Sequence, residues 1–128
     1  MGIIEAPIRE TTKVTTADVL ERAADLLEEF DWCQLQLAKD KDGNLCWWNT
    51  TDPVAFCVVG ATYRATFDLT GGLNDVHEKD ALGALLTHLY EAYRWRGTVP
   101  QWNDSEGHTK AEVVGALRAA ATGLKEAE

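Results

Sequence analysis

The stretch AFCVVGATYRATF, residues 55–67, places a cysteine just ahead of a Gly-Ala pair. A thiol near the start of a helix is acidified by the helix dipole, and the thiolate is the reactive form. Such a nucleophile needs a base, usually an imidazole, and a group that orients the base. The chain offers His77, His88 and His108, with Asn103 and Asp104 close in sequence to His108. Cys57 as nucleophile, His108 or His77 as base and Asn103 or Asp104 as orienter would make a Cys-dependent hydrolase or transferase. A chain of 128 residues often contains these residue types by chance. A packing reading of Cys57 competes and is the stronger. Cys57 shares a helical face with Val54, Val58 and Ala61, and free cysteine packs as a small hydrophobe.

The segment Trp102-Asn103-Asp104 is the second candidate. Asn and Asp side chains bond backbone N–H groups, within a turn or across to the first turn of another helix. Alternatively, Asn103 and Asp104 present an amide and a carboxylate to a small ligand beside Trp102. The histidines are isolated, and no H-x-x-x-H spacing suggests a metal site. TGGLND at 70–75 follows a helix instead of opening one, so no nucleotide loop is read and no cofactor is expected.

Trp32, Trp47, Trp48, Tyr90, Tyr93, Trp95 and Trp102 are many aromatics for this length. Trp, Tyr and Arg dominate interface hot spots. Trp47 and Trp48, if in a strand, point to opposite faces. Tyr93, Trp95 and Arg96 crowd a helix end. The expected binding residues are therefore Trp47, Trp48, Tyr93, Trp95, Arg96, Trp102, Asn103 and Asp104, and the expected partner is a protein.

Four helices must position these groups. Residues 16–30 carry Val19, Leu20, Ala23, Leu26, Leu27 and Phe30 at three- and four-residue steps, with Thr15 or Thr16 as cap. Residues 53–68 form the second helix, with Asp52 as cap and Pro53 at the first helical position. Residues 78–96 carry Leu82, Leu85, Leu86, Leu89 and Tyr93, with Arg94 and Arg96 in the last turn and Gly97 as the stop. Residues 98–108 read as a loop. Residues 109–126 open with Thr109 and Glu112 in capping-box spacing. Cys33, Leu35 and Leu37 alternate with Gln34 and Gln36, and Asp42-Gly43-Asn44 is a turn, so a β-hairpin is expected near 32–48. The fold class is mainly α, a four-helix single domain over 16–128 with a small β-hairpin between helices 1 and 2. Residues 1–15 read as an extended arm.

The net charge is -9, and the acids are evenly spread, with 11 Asp and Glu against 6 Lys and Arg in residues 1–64 and 10 against 6 in residues 65–128. Repulsion from phosphates argues against ordinary nucleic-acid binding, and the even spread argues against a DNA mimic. No apolar run reaches the ~18 residues of a membrane span. The N-terminus lacks a basic region followed by an apolar core, so the expected location is cytoplasmic. Three cysteines without a C-x-x-C pair give neither a disulfide framework nor a zinc site.

Trp32, the Asp40–Gly43 segment, the Phe56–Ala61 motif F-C-x-x-G-A, the W-N-D of 102–104 and Thr109 occur in an order that resembles a small uncharacterised family of actinobacteria and their phages. The resemblance covers roughly residues 17–124. It implies a domain of unknown function of phage or actinobacterial origin, and no activity. The sequence supports, first, a small acidic interaction or regulatory protein without catalysis. The Cys57-dependent enzyme is the alternative, and a small-ligand binder at the W-N-D segment the third reading.

Overall fold

The structure, a computed structural model, describes residues 13–72 and 75–127. Most of the expected arm, residues 1–12, lies outside them. Among these residues five helices and a three-stranded sheet follow in the order α1 (Thr16–Glu29), β1 (Asp31–Trp32), β2 (Ala38–Lys39), β3 (Ala55–Phe56), α2 (Val58–Thr70), α3 (Asp75–Tyr93), α4 (Val99–Asp104) and α5 (Lys110–Ala127).

α1 forms as its apolar spacing requires. Val19, Leu20, Ala23, Leu26 and Leu27 are buried. Thr15 caps it, and Asp18 returns the bond to the Thr15 N–H, so two open donors are satisfied reciprocally. α1 packs on α2, α3 and α5. Across α1 and α5, Arg118 bonds Glu21 at 2.6 Å, Asp25 at 2.8 Å and Glu28 at 2.5 Å. Arg118, followed by Lys125, holds the Glu21 carboxyl below the usual carboxylate range. Val113, Leu117 and Ala120 of α5 and Leu85 and Leu89 of α3 complete the core.

Residues 32–48 are not the expected hairpin. β3 lies between the other two strands, parallel to β1 and antiparallel to β2. Ala55 and Phe56 are both buried, so the central position goes to the strand that can be covered on both faces. The turn itself is where it was expected. Asp40 Oδ1 accepts from the N–H groups of Asp42 and Asn44, and Lys39 bridges to Leu45. The alternation at 33–37 does not make a strand. Leu35 has φ 73° and is 81% exposed, because the chain bends there to meet α4.

The second helix starts five residues later than expected, at Val58, because residues 54–56 are held by the sheet. The Val54 N–H donates to the Lys39 carbonyl, and the Val54 carbonyl accepts from the Asp31 N–H. Asp52 therefore caps no helix. Cys57 is the cap instead, its sulfur accepting from the Gly60 N–H at 3.3 Å. Gly71, at φ 83°, ends α2 as the Gly-Gly pair suggests. α3 is displaced three residues toward the N-terminus of its expected span. Arg94 takes a left-handed φ of 58° and stops the helix, so Arg94 and Arg96 lie beyond it and Gly97 is not the stop.

Candidate functional site

The W-N-D segment is a helix, not a loop. Thr98 and Gln101 form a reciprocal capping box, and Pro100 sits in the first turn. The T-x-x-Q spacing with a following Trp was a sequence signal for this helix that the loop reading passed over. α4 carries Trp102 and Asn103 into the interior, 2% and 1% exposed.

Asn103 uses every hydrogen-bonding capacity of its side chain that matters for burial. Its Oδ1 accepts from Trp32 Nε1 at 2.7 Å and from the Val58 N–H at 2.9 Å. Its Nδ2 donates to the Cys33 carbonyl at 3.2 Å and to Asp104 Oδ1 at 3.0 Å. The Val58 N–H is one of the open donors at the start of α2, so one amide ties β1, α2 and α4 together. Asp104 Oδ1 also accepts from the Leu35 N–H at 2.8 Å, and Gln34 Nε2 donates to the carbonyls of Asn103 and Ser105. Of the two roles considered for Asn103, bonding across to another helix's first turn is the one observed.

The set Cys57-His-Asn/Asp does not assemble. Cys57 is buried, its sulfur is engaged by the Gly60 N–H, and among the described residues no hydrogen bond joins it to an imidazole. His108 faces Trp102 with ring centroids 4.3 Å apart and bonds Glu112 at 2.8 Å. Glu112 thus pairs with His108, while its N–H donates to the capping Thr109 Oγ1 at 3.2 Å. His88 packs edge-on to Tyr93. Neither Asn103 nor Asp104 orients an imidazole.

Burial pushes the Cys57 thiol up, against the lowering by the N–H groups of Gly60 and Val59. Burial, and secondarily the neighbouring Cys57, push Cys33 up to about 12. Both are neutral thiols near pH 7 rather than activated nucleophiles. An alkaline prediction follows. The unfolded Cys33 thiol ionises near pH 8.5, while the native one holds its proton to about pH 12. Between these values the native state binds more protons, so the stability contributed by Cys33 is full below pH 8.5 and falls as pH rises. The fall is about 1.4 kcal/mol per pH unit for a thiol fully ionised only when unfolded. In urea unfolding under reductant, the stability of wild type relative to Cys33→Ala is expected to decline from pH 9 to 11. A constant difference would contradict it.

The expected aromatic surface divides. Trp48 and Trp102 are buried, at 8% and 2% exposure, and are corrected from binding to core residues, as is Asn103. Trp48 packs edge-on against Tyr63 and Phe67 in a turn, not a strand. Arg64 fixes that turn by donating to the carbonyls of Trp48 and Thr50. Trp47 points outward and is 74% exposed, with Leu45 beside it at 64%. With Leu37, Cys46 and Trp48 they line an apolar groove of about 330 Å³. Tyr93 and Arg96 are exposed, and Trp95 is half-buried with its Nε1 donating to the Thr98 carbonyl. Leu35 and Leu45 are both exposed; the alternation at 33–37 marked Leu35 for the interior, and nothing marked Leu45.

Among the described residues no group of three or more His, Cys, Asp or Glu could hold a metal ion. Among the described residues no helix is long and apolar enough to cross a membrane. Fold and site together define a mainly helical domain with a miniature mixed sheet, locked by a buried amide and bearing exposed apolar residues at its sheet end. The chain belongs to DUF6197, a family of unknown function whose model matches residues 11–123. No curated protein and no solved structure matches it.

Proposed function

We propose that this chain is a small, non-catalytic interaction or regulatory protein of the cytoplasm that binds a protein partner through the surface around Trp47. The exposure of Trp47 beside Leu45, over an apolar groove, carries the reading. A tryptophan held in the open has no folding reason to be there, and Trp is the side chain most enriched where binding energy concentrates. The buried, neutral state of Cys57 supports the absence of thiol catalysis. The resemblance noted above favours an actinobacterial or phage setting.

The test is site-specific photocrosslinking with a benzophenone side chain at position 47, and at exposed Lys79 on α3 as the control. The expected result is one discrete protein adduct at 47, absent at 79, competed by unlabelled wild type and not by Trp47→Ser. An adduct competed equally by Trp47→Ser, or none in the native host, would sink the reading.

A further inference from the structure

The end of α3 and the residues after it gather Tyr90, Tyr93, Arg94, Trp95 and Arg96, all of the three types that dominate binding surfaces. The Arg94 N–H returns to the Tyr90 carbonyl at 2.9 Å, and the Trp95 N–H to the Leu89 carbonyl at 3.2 Å. This ending holds Arg94 at a left-handed φ of 58°, where glycine fits at no steric cost and an L side chain is strained. The guanidinium of Arg94 lies over the Tyr90 ring, 6.0 Å from its centroid, and that of Arg96 approaches the same ring at 5.8 Å.

These two guanidinium groups are uncommitted. Among the described residues, Arg22, Arg64 and Arg118 each bond carboxylates, whereas Arg94 and Arg96 form no ion pair and donate no side-chain hydrogen bond. Both are exposed. Glu91, the acid nearest to Arg94 in sequence, lines the groove between α3 and α5. Basic residues past a helix C-terminus favour its dipole, but that role needs neither the ring nor the strained turn. Stacking uses the flat face of a guanidinium and leaves its in-plane N–H donors open, in a fork that fits a carboxylate. Two like charges held within 6.0 Å of one ring repel each other, and an anion beside both relieves the repulsion.

Next to them, an open groove of about 430 Å³ is lined by Leu86, Thr87, Tyr90, Trp95, Arg96 and Gly97. Trp95 is a fixed wall. Its Nε1 donates to the Thr98 carbonyl at 2.9 Å, and its ring lies so close over Gly97 that an added Cβ would stand 2.8 Å from Cζ2. A wall already ordered needs little further ordering when something binds.

We propose that this surface docks an acidic segment of a partner protein, two of its carboxylates on Arg94 and Arg96 and an apolar side chain in the groove against Leu86 and Trp95. Alternate residues of an extended segment stand about 7 Å apart on one face, so an acid-x-acid-x-apolar pattern presents all three together. The chain's net charge of -9 repels a long polyanion at a distance, which favours a short acidic segment over nucleic acid. The surface shares no lining residue with the groove beside Trp47 and does not depend on it.

The test is an NMR titration of the full chain with the capped peptide acetyl-Glu-Ser-Glu-Ser-Leu-amide, with its Gln-for-Glu and Ser-for-Leu counterparts, and with inorganic phosphate. Saturable shifts are expected at the Arg94 and Arg96 Nε–H and the Trp95 Nε1–H with the acidic peptide and not with the Gln peptide, with weaker binding at raised salt. The Ser-for-Leu peptide should bind several-fold more weakly. Arg96→Gln should weaken binding of the acidic peptide about threefold or more. Arg94→Gly should do the same while leaving the thermal midpoint unchanged or higher, because glycine relieves the left-handed turn. An arginine with only a structural role would not separate those two readouts. Trp47→Ser should bind the peptide as wild type does. Absence of saturable shifts, equal affinity for the Gln peptide, or unchanged affinity in both arginine variants overturns the proposal. So does phosphate bound as tightly as the peptide, which assigns a small anion instead. The same shifts on raising the protein concentration alone would assign a second copy of the chain, and would overturn it too.

Discussion

Asn103→Ala is expected to remove about 3–5 kcal/mol of stability, a large part of what a domain of this size possesses. The substitution orphans two donors at once, the indole N–H of Trp32 and the N–H of Val58, and the Cys33 carbonyl loses its side-chain donor. Each unpaired buried group costs about 1–3 kcal/mol, and the vacated amide volume adds to that. Urea unfolding at pH 7 reads the loss directly. Asn103→Asp separates shape from bonding. It keeps the oxygen that faces Trp32 and Val58, but loses both donors and sets a second carboxylate against Asp104. Its defect should shrink on going from pH 7 to 4.5, because protonating a carboxyl whose native pKa is raised stabilises the native state as pH falls. A loss below about 1 kcal/mol in Asn103→Ala would show that the amide is not the clip described.

Gly60→Ala is the second large effect, and its sign is the informative part. In a helix, alanine normally gains about 0.5–1 kcal/mol over glycine. Gly83 in α3 and Gly115 in α5 have nothing within 4 Å of an added Cβ, so alanine there should give that gain. At Gly60 the added carbon would lie 2.0 Å from the Leu37 carbonyl oxygen and 2.8 Å from its carbon. Both are backbone atoms, and they cannot rotate away. Leu37 is also fixed by accepting from the Cys57 N–H at 3.1 Å, so relief requires moving the bend away from α2. A loss of about 3 kcal/mol or more is expected, of the order of an overpacked core or above. Thermal unfolding of Gly60→Ala, Gly83→Ala and Gly115→Ala side by side checks it. If all three shift the midpoint the same way, the close approach at Gly60 is refuted.

The motif F-C-x-x-G-A thus has a physical content that differs from its first appearance. Phe56 ends a central strand, Cys57 caps a helix with its sulfur, and Gly60 admits a backbone carbonyl. The sequence made the burial of Cys57 legible as the stronger reading, and Gly60 and Ala61 legible only as a small pair beside it. It did not show that the neighbour is the 35–37 bend, not a helix. α1 and α5 were legible because an apolar stripe and a capping threonine agree in each. α2 was misplaced because Asp-Pro is a good helix opening locally, while two long-range strand pairings, to residues 31–32 and 38–39, decide the matter. Adjacent tryptophans said that one would face outward, and only the turn held by Arg64 determines that it is Trp47. For Asn103 the residue was singled out and its partners were not, since Trp32 lies 71 positions away in the chain.

The distance in sequence between Val58 and its acceptor has a consequence during synthesis. Forty-five residues separate the first free N–H of α2 from the Asn103 oxygen that receives it. At about 5–20 residues per second, the ribosome supplies that oxygen about 2–9 seconds after it supplies the donor. Through this interval the nascent chain holds the sheet and the start of α2 without their common lock, and α1 still lacks the arginine on α5 that binds its acidic face. Completion of the fold therefore waits for α4 and α5 to be made, and a chain truncated before Asn103 should be a substrate for chaperones and proteases.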